Sequence, residues 1–160
     1  IEHWSNELQL DLLSLKRELD DRIAFLPSAQ ALLAYLKSLP LETILITNAH
    51  QKVLEIKQEN IGIKDHVNAA YASHQFGLPK ENTAFWPAFI DHHRFDPEKT
   101  LFIDDNVSVL DAAETFGIKH RIQPLQPDSK QAAQQASDNS RHLQIHSLAQ
   151  LLPKELSPTV

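Results

Sequence analysis

Through the middle of the chain, short apolar runs alternate with stretches of helical periodicity, and the clearest of these runs stop abruptly at polar residues. This alternation restricts the fold more than any other feature, because strands and helices of these lengths in turn build βαβ units around a parallel sheet. Thr43-Ile44-Leu45-Ile46-Thr47 is the clearest run and predicts a strand buried on both faces. A helix over about 50–60 follows, with Gly62 suited to the left-handed position that closes one. Val67 to Ala72 gives a weaker strand, and a helix over roughly 82–93 contains Pro87 at an awkward place. Thr100-Leu101-Phe102-Ile103 is the third strand. Val109, Leu110, Ala112, Ala113 and Phe116 then mark a helical face stopped by Gly117, before a short strand from Lys119 to Ile122.

The flanks are helical. Leu8, Leu12, Leu15 and Leu19, with Trp4 one turn earlier, predict an amphipathic helix near 4–19. Pro27 and Ser28 open a second pattern of Leu32, Leu33, Tyr35, Leu36 and Leu39 that ends at Pro40. The polar stretch from Gln123 to Asn139 reads as a solvated connector, and a last helix from about Ser147 to Leu152 ends at Pro153.

Composition narrows the chemistry. A chain of 160 residues with 42% hydrophobic side chains has enough apolar material for one ordinary core. There is no cysteine, which rules out disulfides, thiolate metal sites and a cysteine nucleophile. A net charge of −6 argues against a surface that tracks a nucleic-acid backbone. No run approaches the roughly 20 apolar residues of a membrane span, so a soluble, cytoplasmic protein is expected.

The polar residues that end the strands carry the functional signal. Thr47-Asn48 follow the first of these strands, Lys80 lies in the loop after the second and Asp104-Asp105 end the third. In an open parallel sheet all three groups emerge at the carboxyl edge, where such folds bind ligands. A hydroxyl with adjacent backbone N–H groups and an ammonium suit phosphate oxygens, and paired carboxylates suit a hard divalent cation. Singly, Thr47-Asn48 also reads as a helix cap and Lys80 as a solvated charge. Two adjacent carboxylates after an apolar strand are harder to explain without a cation or a helix N-terminus. His50 and the His92-His93 pair read as structural or solvent-exposed, whereas His74 and Phe76, close to Lys80, are candidates for lining a nucleobase or leaving-group pocket.

With these residues in view, the chain resembles the haloacid dehalogenase-like hydrolase superfamily over nearly its whole length. Ile44-Leu45-Ile46-Thr47-Asn48 is similar to the second motif of that family and the Gly77 to Lys80 loop to the third. Phe102-Ile103-Asp104-Asp105, with Asp111-Ala112-Ala113 and Phe116-Gly117-Ile118, is similar to the fourth. Within the superfamily, Thr47-Asn48-Ala49-His50, His74-Gln75-Phe76-Gly77, Pro79-Lys80-Glu81, Trp86 and Pro127-Asp128-Ser129 resemble bacterial GMP/IMP nucleotidases. Here Pro79 precedes the lysine, where the family proline follows it. The first motif, an Asp-x-Asp that ends the first strand and carries the nucleophile, is not in the sequence, since Asp20-Asp21 are adjacent and follow no apolar strand.

The resemblance implies a Rossmannoid three-layer α/β/α core with a parallel sheet. Its central strand would be missing from between the strands at 43–47 and 100–103, and further residues upstream are expected to supply it. Residues 1–20 would then be the last helix of an α-helical cap and residues 21–160 the hydrolase core. The implied activity is a Mg²⁺-dependent phosphomonoesterase working through an aspartyl-phosphate, with a small phosphorylated substrate, a purine nucleotide by the closer likeness. Thr47 and Asn48 would hold the phosphoryl group, Lys80 would neutralise its charge, and Asp105 with Asp104 would ligate the metal. The acidic pair favours a phosphatase over a metal-free dehalogenase, and its position late in the chain argues against a receiver domain. A phosphosugar mutase of the same superfamily remains open, as does an inactive fragment or binding module that retains a phosphate and metal site.

Overall fold

The computed structural model of the protein describes residues 23–127, 135–137 and 140–156. The expected helix near 4–19, the domain boundary at residue 20, Asp20-Asp21, Asp128 and Ser129 lie outside the described residues. Among those described, the elements follow the expected alternation. Helix α1 (Ala29–Lys37) precedes strand β1 (Ile44–Thr47), helix α2 (Gln51–Ile61) and strand β2 (Ala69–Ala72). Helix α3 (Phe85–His92), strand β3 (Leu101–Ile103), helix α4 (Val107–Phe116), strand β4 (His120–Pro124) and strand β5 (Leu143–Ile145) complete the series. No helix of the described residues is long and apolar enough to cross a membrane.

Helix ends follow backbone chemistry. Gly62 and Gly117 terminate α2 and α4 at φ 59° and 110°, values that side chains disfavour. Helix α3 begins at Phe85 rather than near 82, which puts Pro87 in the first turn, where the N–H it lacks has no intrahelical acceptor. The last expected helix is a single 3₁₀ turn, Leu148–Leu151, with a capping box from Ser147 and Gln150. Leu152, before Pro153, is extended at ψ 148°, as a following proline demands, and the helix cannot continue.

The stretch from Gln123 departs furthest from its reading as a solvated connector. Strand β4 runs on to Pro124, Gln123 is buried and Leu125 is wholly covered. Strand β5, which the sequence did not announce, then pairs parallel to β4 with Pro124 opposite Ile145.

The strands form two parallel sheets. Strand β1 pairs with β2, Thr47 opposite Ala72, and β3 pairs with β4, Ile103 opposite Ile122. No ladder joins β1 to β3 among the described strands. One helical core nevertheless covers both. Phe85, Trp86 and Phe89 of α3 and Val109, Ala112 and Ala113 of α4 pack with Ile44 and Ile46 of β1, Tyr71 of β2 and Phe102 of β3. Trp86 meets Phe102 edge-on at 5.0 Å between ring centroids, and Phe89 meets Tyr71 at 5.4 Å. Shared aromatic packing therefore fixes the two sheets on one side, and polar contacts at their carboxyl ends do the rest.

Asn106 links fold and site. It caps α4 by accepting the Ser108 N–H at 2.9 Å, immediately after Asp104-Asp105. Asn106→Ala is expected to lower stability by about 1 kcal/mol, read as a drop in the urea midpoint with an unchanged m-value. An unchanged midpoint would deny the cap its role.

Candidate functional site

At the end of β1 the chain turns sharply into α2. His50, not Thr47 or Asn48, caps this helix, its Nδ1 accepting the Lys52 N–H at 3.2 Å. Thr47 Oγ1 accepts the Ala49 N–H at 3.0 Å, so the hydroxyl is held against its own turn. The Asn48 side chain reaches across to the loop after β2: its Oδ1 accepts the Lys80 N–H at 2.9 Å, and its Nδ2 donates to Glu81 Oε2 at 2.7 Å. Asn48, immediately after β1, thus positions the lysine loop. A helix cap would have made neither contact.

Lys80 is the hinge of the arrangement. Its carbonyl accepts the Trp86 indole N–H at 3.1 Å, which ties the loop to the aromatic core. Its Nζ donates to Asp104 Oδ2 at 2.5 Å and to the Ile46 carbonyl at 3.3 Å, and lies 5.9 Å from the centre of the Phe102 ring. One ammonium therefore spans the carboxyl ends of both sheets, in the interval where no backbone ladder joins the described strands. The Lys80 and Asp104 side chains are each only 9% exposed. A charge so enclosed needs an ionic partner, and each supplies the other's.

The two aspartates do different things. Asp104 turns inward to Lys80, and its Oδ1 also accepts the Asn106 N–H at 3.0 Å. Asp105 is exposed at the same edge, with its peptide carbonyl accepting from Gln123 Nε2 at 3.3 Å. Consecutive residues leaving a strand point to opposite sides, so adjacent carboxylates are naturally split in this way. The solvent-facing Asp105 carboxylate is a hard-oxygen donor that fits Mg²⁺, which takes as few as one or two protein carboxylates and keeps its waters, with the engaged Asp104 carboxylate behind it. Thr47, Asn48, Lys80, Asp104 and Asp105 are all brought to this one edge.

Other candidates fall elsewhere. Phe76 is half-buried, its ring packed edge-on against Phe85 at 5.5 Å and Phe89 at 5.6 Å on the side of the aromatic core. His74 does lie near the site, its ring 4.3 Å from that of His50. His93 is structural, its Nδ1 3.0 Å from the Tyr71 hydroxyl and its Nε2 3.2 Å from Glu42. Asp111, Glu114 and His142 bring possible ligand atoms within 4.8 Å of one another. Arg141 already lies 2.9 Å from Asp111, and Arg121 2.8 Å from Glu114. The enclosed Arg121 guanidinium and the exposed Arg141 guanidinium both oppose a dication there, and the cluster forms an ion-pair network joining α4 to β4 and to the residues that enter β5.

Comparison with known proteins gives consistent results. A family model described as haloacid dehalogenase-like hydrolase matches residues 8–117. The GMP/IMP nucleotidase YrfG of Escherichia coli (strain K12) is 34% identical over 153 residues, which cover 96% of this chain and 68% of the relative. Among solved structures, the L-2-haloacid dehalogenase from Xanthobacter autotrophicus with chloropropionic acid covalently bound is similar at a TM-score of 0.55 and 20% identity, over 64% of this chain and 41% of that one. A dehalogenase crystal structure is similar at a TM-score of 0.64 and 17% identity, over 80% and 55% respectively. The chain thus spans just over half, or less, of the length of these two structural neighbours, whose likeness is one of fold.

Proposed function

Because the chain belongs to the haloacid dehalogenase-like hydrolase family, we propose that it forms the core of a Mg²⁺-dependent phosphomonoesterase acting on purine nucleoside 5′-monophosphates. The observation that carries this reading is the position of Lys80, whose backbone N–H is held by Asn48 and whose ammonium bridges the Ile46 carbonyl, next to Thr47, and the Asp104 carboxylate. Of the chemistries open to this family, phosphoryl transfer best uses a cation flanked by hydroxyl and amide donors on one side and carboxylates on the other.

Thr47 Oγ1 accepts from its own turn and keeps its proton to donate, so it suits a phosphoryl oxygen. The Asn48 backbone N–H is assigned to the same group. Lys80 offsets the negative charge that gathers on the attacking carboxylate and the phosphoryl oxygens. Asp105, with Asp104 behind it, would hold Mg²⁺, which would screen the substrate's charge against these carboxylates. No Asp-x-Asp occurs in the sequence to supply the nucleophile. We assign the attacking aspartate to a further strand between β1 and β3, an interval that no backbone ladder fills among the described strands. Attack by its carboxylate on phosphorus would release the nucleoside alcohol and leave an aspartyl-phosphate that water hydrolyses. The purine preference rests on the nucleotidase relative.

Phosphate release from GMP, IMP and a hexose 6-phosphate by the full-length protein tests this reading. The expected result is kcat/KM at least ~10-fold higher for the purine nucleotides, a difference of about 1.4 kcal/mol in transition-state binding. EDTA should remove the activity and Mg²⁺ restore it. Activity that persists in EDTA, or isomerised sugar phosphate in place of free phosphate, would contradict the proposal.

A further inference from the structure

Gln123 has a position that its composition-based reading as connector does not explain. It is 3% exposed and is the penultimate residue of β4, toward the carboxyl edge. Its Nε2 donates to the carbonyl of Asp105 at 3.3 Å, and its Oε1 accepts from Gln144 Nε2 at 2.8 Å. Gln144, on β5, in turn accepts the Ser137 N–H at 2.9 Å. A chain of amides thus runs from a loop segment through two strands and ends on the peptide of the outer aspartate.

We infer that Gln123, held by Gln144, is a positioning residue that fixes the Asp105 peptide and so aims the Asp105 carboxylate at the cation. The inference rests on the metal role proposed for Asp105. An amide buried at the end of a strand is costly unless it is hydrogen-bonded, and both ends of Gln123 are engaged. The Asp104 side is already fixed by Lys80 and by Asn106. Among the described residues no hydrogen bond or ion pair holds the side chain of Asp105, and its backbone is the place where its direction is set. Without the Gln123 bond the Asp105–Asn106 peptide is held at its N–H alone, by Asp104 Oδ1 at 3.0 Å, and a tilt about that single anchor changes the direction in which the Asp105 carboxylate leaves the backbone. Groups that orient metal ligands in this indirect way typically change metal affinity about 10–100-fold when removed.

The test is Mn²⁺ binding followed by electron paramagnetic resonance on the full-length protein, a readout separate from turnover. Gln123→Met keeps the length of the side chain and removes both hydrogen bonds; it should weaken Mn²⁺ about 10-fold or more. Gln144→Met leaves Gln123 in place without its holder. Because Gln144 borders an open cleft of about 330 Å³, this replacement is accommodated, and it should weaken Mn²⁺ by a smaller factor in the same direction. Ile145→Val, in the core on the same strand, lowers stability without touching the amides and should leave Mn²⁺ affinity unchanged. Asp105→Asn separates the two claims. If it weakens Mn²⁺ while both glutamine variants bind like wild type, the positioning role is overturned and the metal site stands. If Asp105→Asn itself leaves Mn²⁺ affinity intact, both fall. Equal weakening in Ile145→Val and Gln123→Met would reduce the glutamine to general stability and likewise overturn the inference.

Discussion

Lys80→Met in the full-length protein should lower turnover by roughly 10³-fold, because it removes the positive charge placed to receive the charge of phosphoryl transfer. The same substitution should destabilise the fold by about 3 kcal/mol, since it leaves the enclosed Asp104 carboxylate without its ammonium partner. These two effects separate in a double variant. Lys80→Met with Asp104→Asn removes the orphaned charge and should recover most of the stability, measured as the urea midpoint, without recovering turnover. A double variant that regains activity along with stability would mean that the lysine acts only as a structural tie between the two sheets. Retention of the lysine charge in Lys80→Arg is not expected to rescue, because the Nζ position is defined by the Ile46 carbonyl and Asp104 together, which a planar guanidinium cannot match.

Thr47→Ala should lower kcat by about 10²–10³-fold, by analogy with loss of an oxyanion donor. Its cost to folding is smaller, about 1 kcal/mol for the lost bond to the Ala49 N–H. Thr47→Ser restores the hydroxyl and should return kcat to within about 10-fold of wild type. Steady-state kinetics of the three proteins under saturating Mg²⁺ decide the matter. If alanine and serine variants fall together, the methyl group and not the hydroxyl carries the effect, and the phosphoryl-binding role of Thr47 is lost.

The parts of this site that the sequence made legible are those with strong local chemistry. Ile44 to Thr47 is apolar up to its last residue, which marks a strand and puts Thr47 at its carboxyl end, although the strand is half-buried along its length and not covered on both faces as expected. Gly62 and Gly117 stop helices where the pattern says they should. The parts that were hidden depend on contacts distant in sequence. Strand β5 is three residues, Leu143-Gln144-Ile145, too short for periodicity to distinguish from a loop. Gln123 reads as loop because a polar residue at a strand end looks solvated until its partners at Asp105 and Gln144 are seen. The same holds for the division of labour between Asp104 and Asp105. Adjacent carboxylates announce a site, but only the position of Lys80 determines which of them turns inward. Thr47-Asn48 shows the converse, since residues that favour helix caps were displaced from that role by His50.

Diffraction from crystals of the full-length protein grown with Mn²⁺ and tungstate, recorded at wavelengths where each scatters anomalously, tests the central claim most directly. The account predicts tungstate within hydrogen-bond reach of Thr47 Oγ1 and Lys80 Nζ, with Mn²⁺ beside the Asp105 carboxylate. Tungstate bound away from this edge, or manganese at Asp111, Glu114 and His142 with none at Asp105, would contradict it.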